Sequence, residues 1–158
     1  MHPLKYTSEQ IAEMLDRTNW SDGFSWEQMK RLSQFFKVYG AAQGQVLFEQ
    51  GATDNSMGIL LKGTLHVVRE ADGKRNQLAT VRAPQTFGEL SLLDGQPRSA
   101  HIIAVSEVEY LLITQIGLDK LSADYPLVGY RVLWKIAYIL SQRLRSTSGV
   151  LAEYLEVH

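Results

Sequence analysis

Residues 87–100 read Phe-Gly-Glu-Leu-Ser-Leu-Leu-Asp-Gly-Gln-Pro-Arg-Ser-Ala, a run that neither strand alternation nor a full helix accounts for. Gly88 permits close backbone approach, residues 89–93 suffice for one short helical turn, and Asp94-Gly95 with Pro97 closes a loop that points Arg98 back. The chemistry of such a segment is anion binding. N–H groups at the start of a short helix favour negative charge, and a guanidinium fork matches two phosphate oxygens at once. Glu89 would be repelled by that phosphate, so its place makes sense only if it accepts a hydrogen bond from a neutral hydroxyl such as a ribose 2′-OH. Alone, Arg98 and Glu89 could equally be a surface ion pair worth under about 1 kcal/mol. The residues around them argue for a pocket.

One domain of three zones must hold this segment: N-terminal helices over 1–37, a β-roll over 38–114 and C-terminal helices over 115–158. Thr7 with Gln10, and Ser25 with Gln28, have the spacing of capping boxes. Phe24 and Met29 stand where a hydrophobic staple belongs, and Trp26, Met29, Leu32 and Phe36 form the stripe of the second helix. From Gly40 onward, Gly, Asp, Asn and Pro punctuate short apolar runs at 45–49, 58–61, 64–69, 77–81, 100–105 and 108–114. That spacing predicts short antiparallel strands in a roll or jelly roll, with a hairpin at Asp72-Gly73. The fold class is α+β.

Asp124 as N-cap and Pro126 in the first turn predict the start of a long helix. Leu133, Ile136, Leu140, Leu144, Leu151 and Leu155 give it an apolar stripe longer than a small roll can cover, so its outer part is expected to pair with a second copy. Arg131, Lys135, Gln142, Arg143 and Arg145 fall largely elsewhere, and Gly149 is a place to fray or kink.

Composition removes other classes. A net charge of −1 does not suit a protein that coats nucleic acid or anionic lipid, and the lack of cysteine removes disulfides, thiolate metal sites and cysteine nucleophiles. His2, His66, His101 and His158 have no metal-ligand spacing, although His101 follows residues 87–100 directly and is placed to border a pocket there. No metal and no cofactor are expected. No Ser-His-Asp order, Walker loop or dinucleotide fingerprint supports an enzyme, nor does the histidine cluster of a metal-binding roll occur. The start lacks a signal-peptide core, and residues 132–140 are too short to span a bilayer, so a cytoplasmic protein without membrane attachment is expected.

Residues 87–100 resemble the phosphate-binding cassette of the cyclic-nucleotide-binding domain family, which includes the catabolite activator protein and protein kinase A regulatory subunits. Gly44-Gln45-Val46-Leu47-Phe48-Glu49-Gln50-Gly51, Gly63 and the helix bearing Gln142-Arg143-Leu144-Arg145 extend the likeness over residues 25–156. The resemblance implies that Glu89 binds the ribose 2′-OH, that Arg98 binds the cyclic phosphate, and that backbone groups around Gly88, Leu90, Ser99 and Ala100 complete the cradle. Ser99 resembles the bacterial cAMP-responsive branch, so cAMP is the expected ligand, with cGMP and a cyclic dinucleotide left open. Tyr130, Arg131, Trp134 and Tyr138 are candidate lids over the base.

The expected protein is thus a sensor that moves its C-terminal helix and passes the signal over residues 116–154 to a homodimer partner or an unidentified effector. Replacing Arg98 is expected to leave the fold intact. With the chain ending at His158, no helix-turn-helix follows the long helix, so transcription would be reached only through a partner and not by direct DNA contact. A cassette that has lost its ligand, on a dimerising interaction module, is the alternative; saturable nucleotide binding separates the two.

Overall fold

The computed structural model describes the backbone of residues 1–157 and the side chains of residues 1–149. It is the expected α+β arrangement of antiparallel sheets between helical ends. One sheet runs in the order β1 (His2–Leu4), β2 (Lys37–Ala41), β9 (Val108–Thr114), β4 (Ser56–Lys62), β7 (Thr86–Phe87). The other runs β3 (Val46–Phe48), β8 (His101–Ala104), β5 (Thr64–Ala71), β6 (Lys74–Arg82). Side-chain alternation on β4 and β9 creates two apolar layers. Ile59, Leu111 and Ile113 pack with the helices, whereas Leu60, Val108 and Tyr110 pack with the second sheet.

Both capping boxes form: Thr7 with Gln10 starts α1 (Ser8–Asp16), and Ser25 with Gln28 starts α2 (Trp26–Ser33). Phe24 and Met29 join the core as a staple would. Trp26 does not; on the first turn of α2 it stays exposed, and the buried stripe is Met29, Leu32 and Phe36. The Asp72-Gly73 hairpin has the two positive φ values a type I′ turn demands, 53° and 73°.

Three strands were not legible. β1 and β7 have three and two residues, and β2 carries Gly40 and an exposed Lys37, so none has a run of alternation to read. β6 starts earlier than expected because Lys74, Arg75 and Asn76 pair through their backbones with Ala71, Glu70 and Arg69.

The C-terminal zone departs from expectation at two places. Asp124 is not an N-cap; it ends α4 (Gln115–Asp124), which Thr114 caps. The break falls at Tyr125 because the proline ring of Pro126 disfavours helical geometry in the residue before it, and Pro126 then opens α5 (Pro126–Val157). At 32 residues α5 is roughly 48 Å long. Its core face is Val128, Val132 and Ile136, with Ile139 and Leu140 half-buried against it, while Leu133 and Leu144 are exposed. Ile136 and Leu140 of the expected stripe thus face the domain and Leu133 and Leu144 of the same stripe do not, because helical period records amphipathicity and not how much of a stripe a neighbour covers. The side chains of Leu151, Tyr154 and Leu155 lie outside the described residues.

Candidate functional site

Among the described residues, six polar ones other than Thr18 are buried: Ser33, Ser56, Thr86, Glu89, Ser91 and Arg98. Ser33 binds a carbonyl of its own helix, but the other five gather where β4, β7 and α3 (Glu89–Asp94) meet. Buried charge is retained only where partners satisfy it, so the partners define the site.

Glu89 (3% exposed) and Arg98 (5% exposed) line one cavity of about 300 Å³, at the lower edge of the roughly 300–1,000 Å³ usual for small-ligand sites. Gly88, Leu90, Ser99 and Ala100 line it too, so all six residues expected at the site are brought together. Phe48, Val67, Val81, Phe87 and Ile102 supply its apolar wall.

Gly88 holds α3 at its start in left-handed geometry, φ 81°. A Cβ there would lie 2.6 Å from the Phe48 ring and 2.8 Å from Arg98 Nη1. The first-turn N–H groups of α3 have no intrahelical acceptor, as at any helix start. Arg98 is fixed from several sides. Its Nε and Nη2 donate to the two carboxylate oxygens of Asp54 at 3.3 and 2.8 Å, Nη2 also to Ser56 O at 2.6 Å, and Nη1 to Gly88 O at 2.9 Å. The guanidinium stacks 3.8 Å from the centre of the Phe48 ring.

The bidentate fork expected to face phosphate is therefore taken by Asp54, a residue the sequence reading did not single out. Of the five guanidinium N–H groups, one on Nη1 has no acceptor among the described residues. Partial burial raises the Asp54 pKa, but hydrogen bonds from Arg98 and Ser56 and the Arg98 charge outweigh it and hold the carboxyl below its ordinary value.

Glu89 is balanced from the far end of the chain. Arg143 on α5 lies 2.8 Å from Glu89 Oε1 and donates to Thr86 O at 2.7 Å; Thr86 Oγ1 donates a short hydrogen bond to the same Oε1. Glu89 Oε2 takes no bond among the described residues and so remains an acceptor for a hydroxyl in the cavity. Arg143 lines the cavity; in sequence it was read as part of a polar helix face and of the run 142–145 that extends the family likeness, with no role at the site. Its separation of 57 residues from Thr86 leaves no local signal.

None of the candidate lids lines this cavity. Tyr130, Arg131, Trp134 and Tyr138 lie along a different cleft, because α5 turns Arg143, not those rings, toward the cavity. His101 does not line the cavity either; its Nδ1 accepts from Gln50 N at 3.1 Å, and its Nε2 is 3.7 Å from the Glu70 carboxylate.

A family model described as cyclic nucleotide-binding domain matches residues 41–125, more than half of the chain. The chain belongs to that family. Among the cyclic nucleotide-binding domain's curated relatives, a CRP-like cAMP-activated global transcriptional regulator of Mycobacterium tuberculosis is 26% identical over 92% of this chain and 63% of its own length. The cyclic AMP receptor protein of Thermus thermophilus is 29% identical over 78% of this chain and 56% of its own. The chain thus spans less than two thirds of these relatives. A solved cyclic nucleotide-binding domain from Methylobacillus flagellatus superposes with TM-score 0.78 at 26% identity, covering 88% of this chain and 79% of that one. The regulatory domain of Toxoplasma gondii PKA, solved with cAMP, shares the fold with TM-score 0.68 at 16% identity, over 83% of this chain and 50% of that one.

Among the described residues no group of three or more His, Asp or Glu could hold a metal ion, and no helix is long and apolar enough to cross a membrane.

Proposed function

We propose that this domain senses a cyclic nucleotide, most simply cAMP, and does no chemistry on it. The observation that carries the reading is that one small cavity holds a buried carboxylate with an unused oxygen and a buried guanidinium with an unused N–H. The 2′-OH would donate to Glu89 Oε2, and the cyclic phosphate would lie on Arg98 Nη1 and the N–H groups of the cassette. Arg143 supplies a second positive charge beside Glu89, which offsets the repulsion between that carboxylate and a phosphate. The names of the relatives from Mycobacterium tuberculosis and Thermus thermophilus support cAMP, as does Ser99 on the cavity wall.

The moving part in this reading is α5. Arg143 ties it to Glu89 and Thr86, so a ligand at Glu89 acts on the pair that docks the helix and shifts the balance between docked and undocked states through its unequal affinity for them. Exposed Leu133 and Leu144 suit a homodimer along α5. Three of the helix's cations, Arg131, Lys135 and Arg143, are bound to groups of the domain itself, which favours signalling through a protein partner over direct contact of this helix with DNA. The reading places the protein in the cytoplasm.

One observation favours a second reading. Because Asp54 holds the Arg98 fork, the charge of the arginine is balanced without a ligand, as it would be in a purely structural cassette on a dimerising module. Isothermal titration with cAMP, cGMP and 5′-AMP separates the two. Saturable binding of a cyclic nucleotide, absent for 5′-AMP, supports the sensor and ranks the bases; no heat with either cyclic nucleotide supports the structural cassette.

A further inference from the structure

A second cleft, of about 880 Å³, lies between α5 and the segments 19–24 and 84–86. Tyr130, Trp134 and Tyr138 line it at four-residue spacing on α5, and they are 58%, 62% and 62% exposed. Such a row spans roughly 12 Å of helix. The core does not use these rings, since the buried face of this stretch is Val128, Val132 and Ile136. Single exposed aromatics are ordinary, but three in line on one cleft mark an interaction surface.

The charge beside the rings is one-sided. Arg131 and Lys135 line the cleft against Asp22 alone, and Arg143 at its edge is paired with Glu89, in a chain whose net charge is −1. The first two cations are held in place: Arg131 donates to Gly23 O, and Lys135 donates to Asn19 O and, at 3.1 Å, to Asp22 O. Carbonyl acceptors orient a cation without neutralising it, so the positive row is ordered in advance of any partner. Burial lowers the Lys135 pKa and the Asp22 charge opposes that shift, as expected of an ammonium at a half-dry wall.

We propose that this cleft docks an acidic amphipathic helix of a protein partner. Helix-in-groove recognition reads apolar anchors at i, i+3, i+4 and i+7, which the ring spacing on α5 can receive. Arg131 and Lys135, one turn apart, meet carboxylates on the flank of such a helix, whereas a basic helix meets like charge. Gln85, Thr86 and Arg143 line both this cleft and the smaller cavity. Docking and nucleotide binding are therefore coupled through a shared wall, and this coupling, unlike the docking, rests on the sensor reading. Coupling of this kind is reciprocal in affinity.

The test uses the full chain and two labelled synthetic helical peptides, one of Leu, Ala and Glu and a twin with Lys in place of Glu, followed by fluorescence anisotropy with and without saturating cAMP. The acidic peptide is expected to bind saturably and about tenfold or more tighter than its basic twin. The double variant Trp134→Ser, Tyr138→Ser, checked for an unchanged far-UV spectrum, is expected to lose that binding. No saturable binding of the acidic peptide, equal binding of the two peptides, or binding indifferent to the double variant overturns the docking site. A peptide-free dimer that the double variant converts to monomer also overturns it, by giving the cleft to a second copy. If calorimetry shows cAMP binding but peptide affinity ignores cAMP, the coupling is overturned; if cAMP does not bind, the sensor reading fails and the peptide comparison still decides the docking.

Discussion

Arg143 and Glu89 form an ion pair at 2.8 Å that joins the last helix to the first residue of the cassette helix. The glutamate is buried and the arginine is half-exposed, so the pair ties a residue of the pocket to the outer part of the long helix. Removing the arginine strands a buried carboxylate, and removing both charges does not.

That asymmetry gives the first prediction. Arg143→Ala should lower stability to urea, whereas Glu89→Gln with Arg143→Ala should recover much of the loss, leaving a coupling of about 0.5–3 kcal/mol in a double-mutant cycle. Additive effects of the two changes would mean that the pair does not hold α5.

Arg98 carries both a ligand role and a structural one. Arg98→Ala should weaken cyclic-nucleotide affinity by roughly thirty- to several thousand-fold, the equivalent of about 2–5 kcal/mol. It should also destabilise the domain by about 1–3 kcal/mol for each polar group left buried and unpaired, because Ser56 O and Gly88 O lose their donor. The sequence reading expected an intact fold; the internal partners of Arg98 make a lower melting temperature the expected result. Calorimetry and thermal unfolding of the same preparation measure both.

Asp54 sets a pH dependence. Its folded-state pKa lies below the ordinary value, so the stabilisation is present above the unfolded carboxyl pKa of about 3.9 and is lost as pH falls through the lower, folded value. Stability of the wild type should therefore fall below about pH 4 more steeply than that of Asp54→Asn. Parallel urea midpoints for the two proteins across that range would contradict the clamp.

Gly88→Ala should be costly in a way that composition does not suggest. The left-handed backbone disfavours any side chain, and the added carbon meets Phe48 and Arg98. A drop in melting temperature together with weaker cAMP binding is expected; a change in neither would show that α3 can start without this geometry.

Local chemistry made much of the molecule legible from the chain alone. Capping boxes at Thr7 and Ser25, the turn at Asp72-Gly73, and the glycine, carboxylate and guanidinium of residues 88–98 act over a few residues, so their types and spacing carry the information. All six expected site residues meet in one cavity for the same reason: five lie in the short stretch around α3 and its return loop or directly beside them, and the sixth opens that helix.

What only the tertiary structure decided are pairings across long stretches of chain. Asp54 reaches Arg98 across 44 residues, and Arg143 reaches Thr86 across 57, and neither leaves a periodic trace. The facing of α5 was only partly legible for a related reason: the expected stripe held Ile136 and Leu140, which face the domain, together with Leu133 and Leu144, which do not, and helical period records amphipathicity, not which side a neighbour will cover. Packing against α4 and the roll buried Val128, Val132 and Ile136, and with that turned Arg143 to the cassette and the rings of Tyr130, Trp134 and Tyr138 away from it.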